Sequence, residues 1–254
     1  MRKFYRQWPC FLALASCLTL GAGCTKAAKA KRLLSSAERD FQAQRYEAAE
    51  AQYQAVLRLS YLNPAAIRQL GLIYAEEGRG PQAYAFLQKA YAMNSNNPVV
   101  RLKLAQLCLS AGKATNAASL AAQCVESDPT NELALEILID ASRSPAALAV
   151  VRSKVEALEQ ADKSVAAYHA ALGRIDLRQQ NVADAEIELQ TALRLDPKLS
   201  AAYAGMASVY SARKDLKAME QALKTAADLS PVRSSTRLNY AEHKYQTGFP
   251  EEAR

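Results

Sequence analysis

The feature that most constrains this chain is a period of 34 residues. Sliding the sequence against itself aligns residues 64–97, 98–131, 166–199 and 200–233 without a gap. One column holds Leu70, Leu104, Leu172 and Met206, and the next holds the small residues Gly71, Ala105, Gly173 and Ala207. Later in each unit come Ala83, Ala117, Ala185 and Met219, then Leu87, Ala121, Leu189 and Leu223, then Ala90, Cys124, Ala192 and Ala226. Spacings of three and four residues put these positions on one face of a helix, so each unit reads as two amphipathic helices. The small residues of the first helix let the second approach closely. Asn63-Pro64 and Asn97-Pro98 open units, while Asp128-Pro129, Asp196-Pro197 and Ser230-Pro231 close them, because a residue before proline avoids helical dihedrals. Gly78, Gly112 and Gly248 mark turns inside the pairs. A lone pair cannot bury its apolar face, so the fold must come from stacking.

The pattern resembles the tetratricopeptide repeat, a 34-residue helix-turn-helix unit. The resemblance covers about residues 33–254 and implies an all-α fold, a right-handed α-solenoid of antiparallel helix pairs. Residues 33–131 read as repeats 1–3. The first of these, around 30–63, carries Tyr46, Ala49, Tyr53 and Val56 in the matching columns, with two extra residues before Asn63-Pro64. Residues 132–165 break the pattern: Glu132 to Asp140 reads as a helix, Ser142-Arg143-Ser144-Pro145 interrupts, and Ala146 to Gln160 reads as a second helix. This unit lacks the small-residue columns and is expected to be a degenerate repeat or joint. Residues 166–254 read as repeats 5–6 and a truncated seventh, in which Tyr240 and Ala241 take packing columns and Pro250 opens a second helix. Because the chain stops inside that helix, it is expected to belong to a longer protein.

The formal charge of +7 invites a nucleic-acid reading. Its distribution removes that reading. Arg2, Lys3, Arg6, Lys26, Lys29, Lys31 and Arg32 fall in residues 1–32 with no acid among them, and beyond residue 32 the 25 Lys and Arg are matched by 25 Asp and Glu. No nucleic-acid partner is expected. The basic start, the uncharged stretch from Cys10 to Gly23 and the small residues at its end have the order of an export signal over residues 1–23. At fourteen residues the stretch falls short of the roughly 20 that a membrane-spanning helix takes.

Leu20-Gly21-Ala22-Gly23-Cys24 resembles the lipobox of bacterial lipoproteins, which implies acylation of Cys24 and a lipid anchor in a membrane. Gly21 stands where that family prefers a branched aliphatic residue. Leu14-Ala15-Ser16-Cys17 fits the local pattern better, yet cleavage there leaves an apolar core of only about six residues, so Cys24 is the favoured site and Cys17 the alternative. Thr25 in place of Asp implies an outer-membrane location facing the periplasm. Residues 24–32 then form the lipidated cysteine and a basic tether.

No catalytic constellation emerges, and no enzyme activity is expected. His169 and His243 belong to different units and lack cysteine or paired carboxylate at ligand spacing, so neither metal nor cofactor is expected. Cys108 and Cys124 fall in packing columns and read as buried small hydrophobes, not a disulfide. Arrays of this kind bind partners along a concave groove lined by first helices. The groove columns name Arg68 and Leu72, then Leu102, Gln106 and Leu109, then Arg174, Leu177 and Arg178. The expected partner is a protein or peptide segment docked along the leucines, with an acidic group near Arg174 and Arg178. The resemblance to repeat-bearing lipoproteins implies a scaffold in exopolysaccharide export, sorting or pilus-type machinery. The rival reading is a binding arm of an enzyme or sensor whose catalytic domain lies beyond residue 254, and a third is a groove for polysaccharide.

Overall fold

The computed structural model describes residues 10–232 and 234–249, with side chains described from Thr25 onward. The expected signal residues before Cys10, the Cys24 side chain and the helix expected from Pro250 lie outside the described residues. Thirteen helices are described: α1 Cys10–Gln42, α2 Tyr46–Leu59, α3 Pro64–Glu76, α4 Gly80–Met93, α5 Pro98–Ser110, α6 Ala114–Ser127, α7 Glu132–Ala141, α8 Pro145–Ala161, α9 Ala166–Arg178, α10 Val182–Leu195, α11 Ser200–Ala212, α12 Leu216–Leu229 and α13 Ser235–Gln246. The fold is all-α, and within each of two compact units, one ending at Val100 and one beginning at Arg101, helix pairs stack in chain order as in an α-solenoid. Residues 132–165 lie inside the second unit.

The period is written into the backbone. Gln44, Gly78, Gly112, Gln180, Lys214 and Gly248 all have positive φ, between 56° and 89°, and successive members stand one or two periods apart. After each, an amide closes back on the preceding helix: Arg45, Arg79, Lys113, Asn181, Asp215 and Phe249 donate to Asp40, Tyr74, Cys108, Asp176, Tyr210 and Lys244 at 2.8–3.0 Å. This left-handed cap satisfies carbonyls that a helix end otherwise orphans. Gln44 and Gly78 are in register, so the two extra residues expected in the first repeat are absent. First helices start on side-chain caps where the sequence provides one. Asn63, Asn97 and Asn131 accept from the amides of Ala66, Val100 and Ala134 at 2.9–3.0 Å.

In the first unit, Ala37 of α1, Ala49, Tyr53 and Val56 of α2, Ile67, Leu70 and Ile73 of α3 and Ala83 and Leu87 of α4 are buried. Glu38 gathers this unit's polar core by accepting from the Tyr53 hydroxyl and the Gln69 amide, both at 2.9 Å. The expected tether is helical, since α1 runs through Lys26, Lys29, Lys31 and Arg32, all exposed. Among the described residues no helix is long and apolar enough to cross a membrane.

In the second unit, Ala170, Ala185, Leu189, Ala192, Leu199, Ala202, Met206 and Val209 form one apolar cluster. Leu189 is wedged between two glycines. A Cβ on Gly173 meets its Cγ at 2.7 Å, and a Cβ on Gly205 meets its Cδ2 at 2.5 Å, distances at which something must move. The small-residue column thus acts as expected where it holds glycine: Gly71 and Gly173 face Leu87 and Leu189.

Residues 132–165 keep the 34-residue length but move their turn. The repeat equivalent of Ser110, the end of α5, is Ser144, yet α7 stops at Ala141; the equivalent of Ala114, the start of α6, is Leu148, yet α8 starts at Pro145. Both shifts are three residues, about one helical turn. Pro145 occupies the first position of α8, where its missing N–H costs nothing, and Ser144 caps the helix by accepting from Ala147 N at 3.1 Å. Val151 and Val155 fill the columns that hold Ala117 and Ala121 in α6.

Candidate functional site

Within the second unit, the first helices α7, α9 and α11 line a cavity of about 270 Å³. Its apolar lining comes from Leu135 and Ile139 on α7, Ala167, Ala170 and Ala171 on α9, and Ala201, Ala204 and Gly205 on α11. Small residues on α11 leave the space. The polar lining is Glu132, Glu136, Asp140, Arg174, Arg178 and Ser208.

The charged residues are arranged by the repeat itself. Asp140 and Arg174 are 34 residues apart and occupy the same position on successive first helices, so they meet. Arg174 forks onto Asp140, with Nη2 at 2.7 Å from Oδ2 and Nε at 3.2 Å from Oδ1, while Nη1 donates to Glu136 Oε1 at 3.0 Å. Burial works against the Arg174 charge, but Glu136 and Asp140 outweigh it and its pKa is raised. Burial also lifts the Glu136 carboxyl above its usual range, with Arg174 opposing and Asp140 adding to the rise. Arg178 is used differently. Its guanidinium donates to the Ile139 carbonyl and, at 2.6 Å, to the Ser142 carbonyl, the groups exposed by the early end of α7. A cation at the negative end of a helix is favourable. The expected docking of an acidic group is therefore corrected at Arg174, whose charge is already paired with Glu136 and Asp140; Arg178 is exposed and keeps its charge, but it directs both terminal nitrogens to neutral carbonyls at the end of α7.

Tetratricopeptide-repeat family models match residues 34–98 and 74–138. Residues 34–138 are tetratricopeptide repeats. A tetratricopeptide-repeat protein from Parabacteroides merdae is similar over 89% of this chain and 90% of its own, with a TM-score of 0.63 at 16% identity. A thermophilic one from Thermus thermophilus is similar over 71% of this chain and 98% of its own, with a TM-score of 0.54 at 19% identity. At these identities the likeness is one of fold. Comparison with curated proteins gives no match. The tetratricopeptide-repeat fold is that of a protein-interaction scaffold and is in general non-catalytic.

The other expected site residues are distributed along the repeats. Arg68 and Leu72 lie on α3 in the first unit, Arg68 half-buried and Leu72 9% exposed. Leu102, Gln106 and Leu109 share one half-buried face of α5 in the second unit, and Leu177 lines the cavity beside both arginines. Glu132, Glu136 and Asp140 were not among the expected groove residues. For Asp140 the signal is an acid one period before the base Arg174; Glu132 and Glu136 have Ala166 and Ala170 in that place, and the period does not point to them. Cys108 and Cys124 are buried free thiols whose pKa values burial pushes up, the environment of an unreactive cysteine. His169 is buried, with Nδ1 at 2.8 Å from Glu188 Oε2 and Nε2 at 3.3 Å from the Lys163 carbonyl oxygen. Among the described residues no group of three His, Cys, Asp or Glu is arranged to hold a metal.

Proposed function

We propose that this protein is a non-catalytic scaffold that holds an extended segment of a partner protein in the groove between α7, α9 and α11. The observation that carries this reading is the groove itself. Three successive first helices bound it, its lining is largely apolar, and Ala201, Ala204 and Gly205 keep it open. In this reading Cys24 carries the lipid that anchors the array at the outer membrane facing the periplasm, and the scaffold serves envelope assembly or secretion, of the exopolysaccharide, sorting or pilus type. The order of basic, apolar and small residues before Cys24 supports the export signal.

Site-specific photocrosslinking of the full chain in its native envelope tests the groove. A crosslinker at Ser208 or Ala204 is expected to trap a partner that a crosslinker at Val150, exposed on α8, does not. Equal trapping from all three positions, or none from the groove, overturns the reading. The anchor has its own test. Cys24→Ser is expected to abolish palmitate labelling and detergent-phase partitioning, and retention of both assigns the lipid elsewhere.

A further inference from the structure

One end of the α7–α9–α11 groove carries negative charge that its own residues do not balance. Three carboxylates line the cavity, at Glu132, Glu136 and Asp140, with two guanidinium groups. Arg174 is shared between Glu136 and Asp140, and Arg178 is occupied by main-chain carbonyls. Glu132, exposed at the start of α7, has no ion-pair partner among the described residues. At that end the floor is aliphatic. By register, Glu132 and Leu135 in the first turn of α7 sit level with Ala167 on α9 and Ala201 on α11, and all four line the cavity.

We infer that this end of the groove receives a lysine or arginine side chain of the partner segment, with the aliphatic stem over Leu135, Ala167 and Ala201 and the cationic head against Glu132. The assignment rests on the groove being the partner site proposed above and specifies what enters it. A long basic side chain suits such a surface because its methylenes cover apolar area while its head stays at the wet rim. The cavity, about 270 Å³, falls below the roughly 300–1,000 Å³ of small-molecule sites and is of side-chain size. The electrostatics agree in sign. A carboxylate in the first turn of a helix is ordinarily favoured by the helix dipole, yet the Glu132 carboxyl, at the exposed rim, is held above its usual range by partial loss of its water where it meets the cavity, then by Asp196 and Glu136. An incoming cation relieves that deficit, and an incoming carboxylate deepens it.

A displayed library of random, unstructured peptides, selected on the full chain, separates the possibilities. Groove binders are defined as those lost on Ser208→Trp, a change at an exposed rim position on α11 that leaves the core untouched. The expected result is enrichment of Lys or Arg at one peptide position, with affinity falling about three- to five-fold on Glu132→Gln, the scale of a rim ion pair. It is also expected that Glu132→Lys turns the preference toward Asp or Glu. Groove binders with no basic preference, or indifferent to Glu132→Gln, overturn the inference and leave the groove reading standing. A selection that yields only binders indifferent to Ser208→Trp, or none, overturns both.

Discussion

Arg178 on α9 donates to the carbonyl of Ser142 at 2.6 Å, reaching back one repeat to the place where α7 ends a turn early. The side chain occupies the position on α9 equivalent to the residue where α7 would have ended at full length. An arginine at that position thus serves the neighbour's missing turn.

Arg178→Ala is expected to destabilise the second unit by about 1 kcal/mol, the net worth of hydrogen bonds at a partly exposed site. Hydrogen exchange is expected to speed up in the last turn of α7 before anywhere else. Arg178→Lys is expected to recover only part of the loss, because one ammonium cannot reproduce a fork onto two carbonyls.

The wedge of Leu189 between Gly173 and Gly205 makes a second prediction. Gly173→Ala is expected to cost about 1–3 kcal/mol through overpacking, although alanine is the better helix former by about 1 kcal/mol. Pairing it with Leu189→Ala is expected to give less than the sum of the two single losses, because each change relieves the other's misfit. Chemical denaturation of the four proteins reads the coupling directly.

Which parts of this were legible in the sequence follows from how each feature is encoded. Helix pairs and their buried columns are set by apolar spacing, which a period of 34 residues exposes at once. The turns at Gly78, Gly112 and Gly248 announce themselves because glycine takes positive φ without penalty. Their equivalents at Gln44, Gln180 and Lys214 do not, since there the closing amide bonds hold an ordinary residue in the left-handed region. Arg174 reads as free charge, and Arg178 as a free donor, because a sequence shows a residue's charge and hides its partner. Comparing columns one period apart finds Asp140 beneath Arg174. Nothing local in the sequence finds the carbonyls that hold Arg178, which are exposed only because α7 ends early.

The ion pair Arg152–Asp176 links α8 to α9, with Arg152 half-buried and Asp176 4% exposed. Arg152→Met is expected to cost about 3 kcal/mol, because it leaves a carboxylate buried without its counter-charge. Asp176→Asn, which keeps an acceptor and removes the charge, is expected to cost less. Burial, the largest influence, raises the Asp176 pKa above its ordinary 3.8 despite Arg152. The folded state therefore holds this proton more tightly than the unfolded chain. The resulting stability is fully present below about pH 3.8 and lost as pH rises through the raised value. Equilibrium unfolding of Asp176→Asn across acidic pH is expected to lack that component.

Glu38 has the opposite sign. Hydrogen bonds from Gln42 first, then from Gln69 and Tyr53, lower its pKa below 4.5 against the effect of burial. Its contribution is present above about pH 4.5 and is lost as pH falls through the lowered value. Glu38→Gln is expected to weaken the first unit at neutral pH and to flatten its acid response, read by exchange of the amides in α2 and α3.

The shifted turn of residues 132–165 behaves like a deletion followed by a compensating insertion in a reading frame. Three residues leave the end of one helix, three join the start of the next, and the N-cap residues Asn131, Val165 and Leu199 remain evenly spaced. Everything downstream stays in phase. The unit is in that sense a cassette: a 34-residue stretch with the spacing of residues 98–131 can replace it without re-registering a single later column, and the local loss is the pair of acceptors that Arg178 was reaching for.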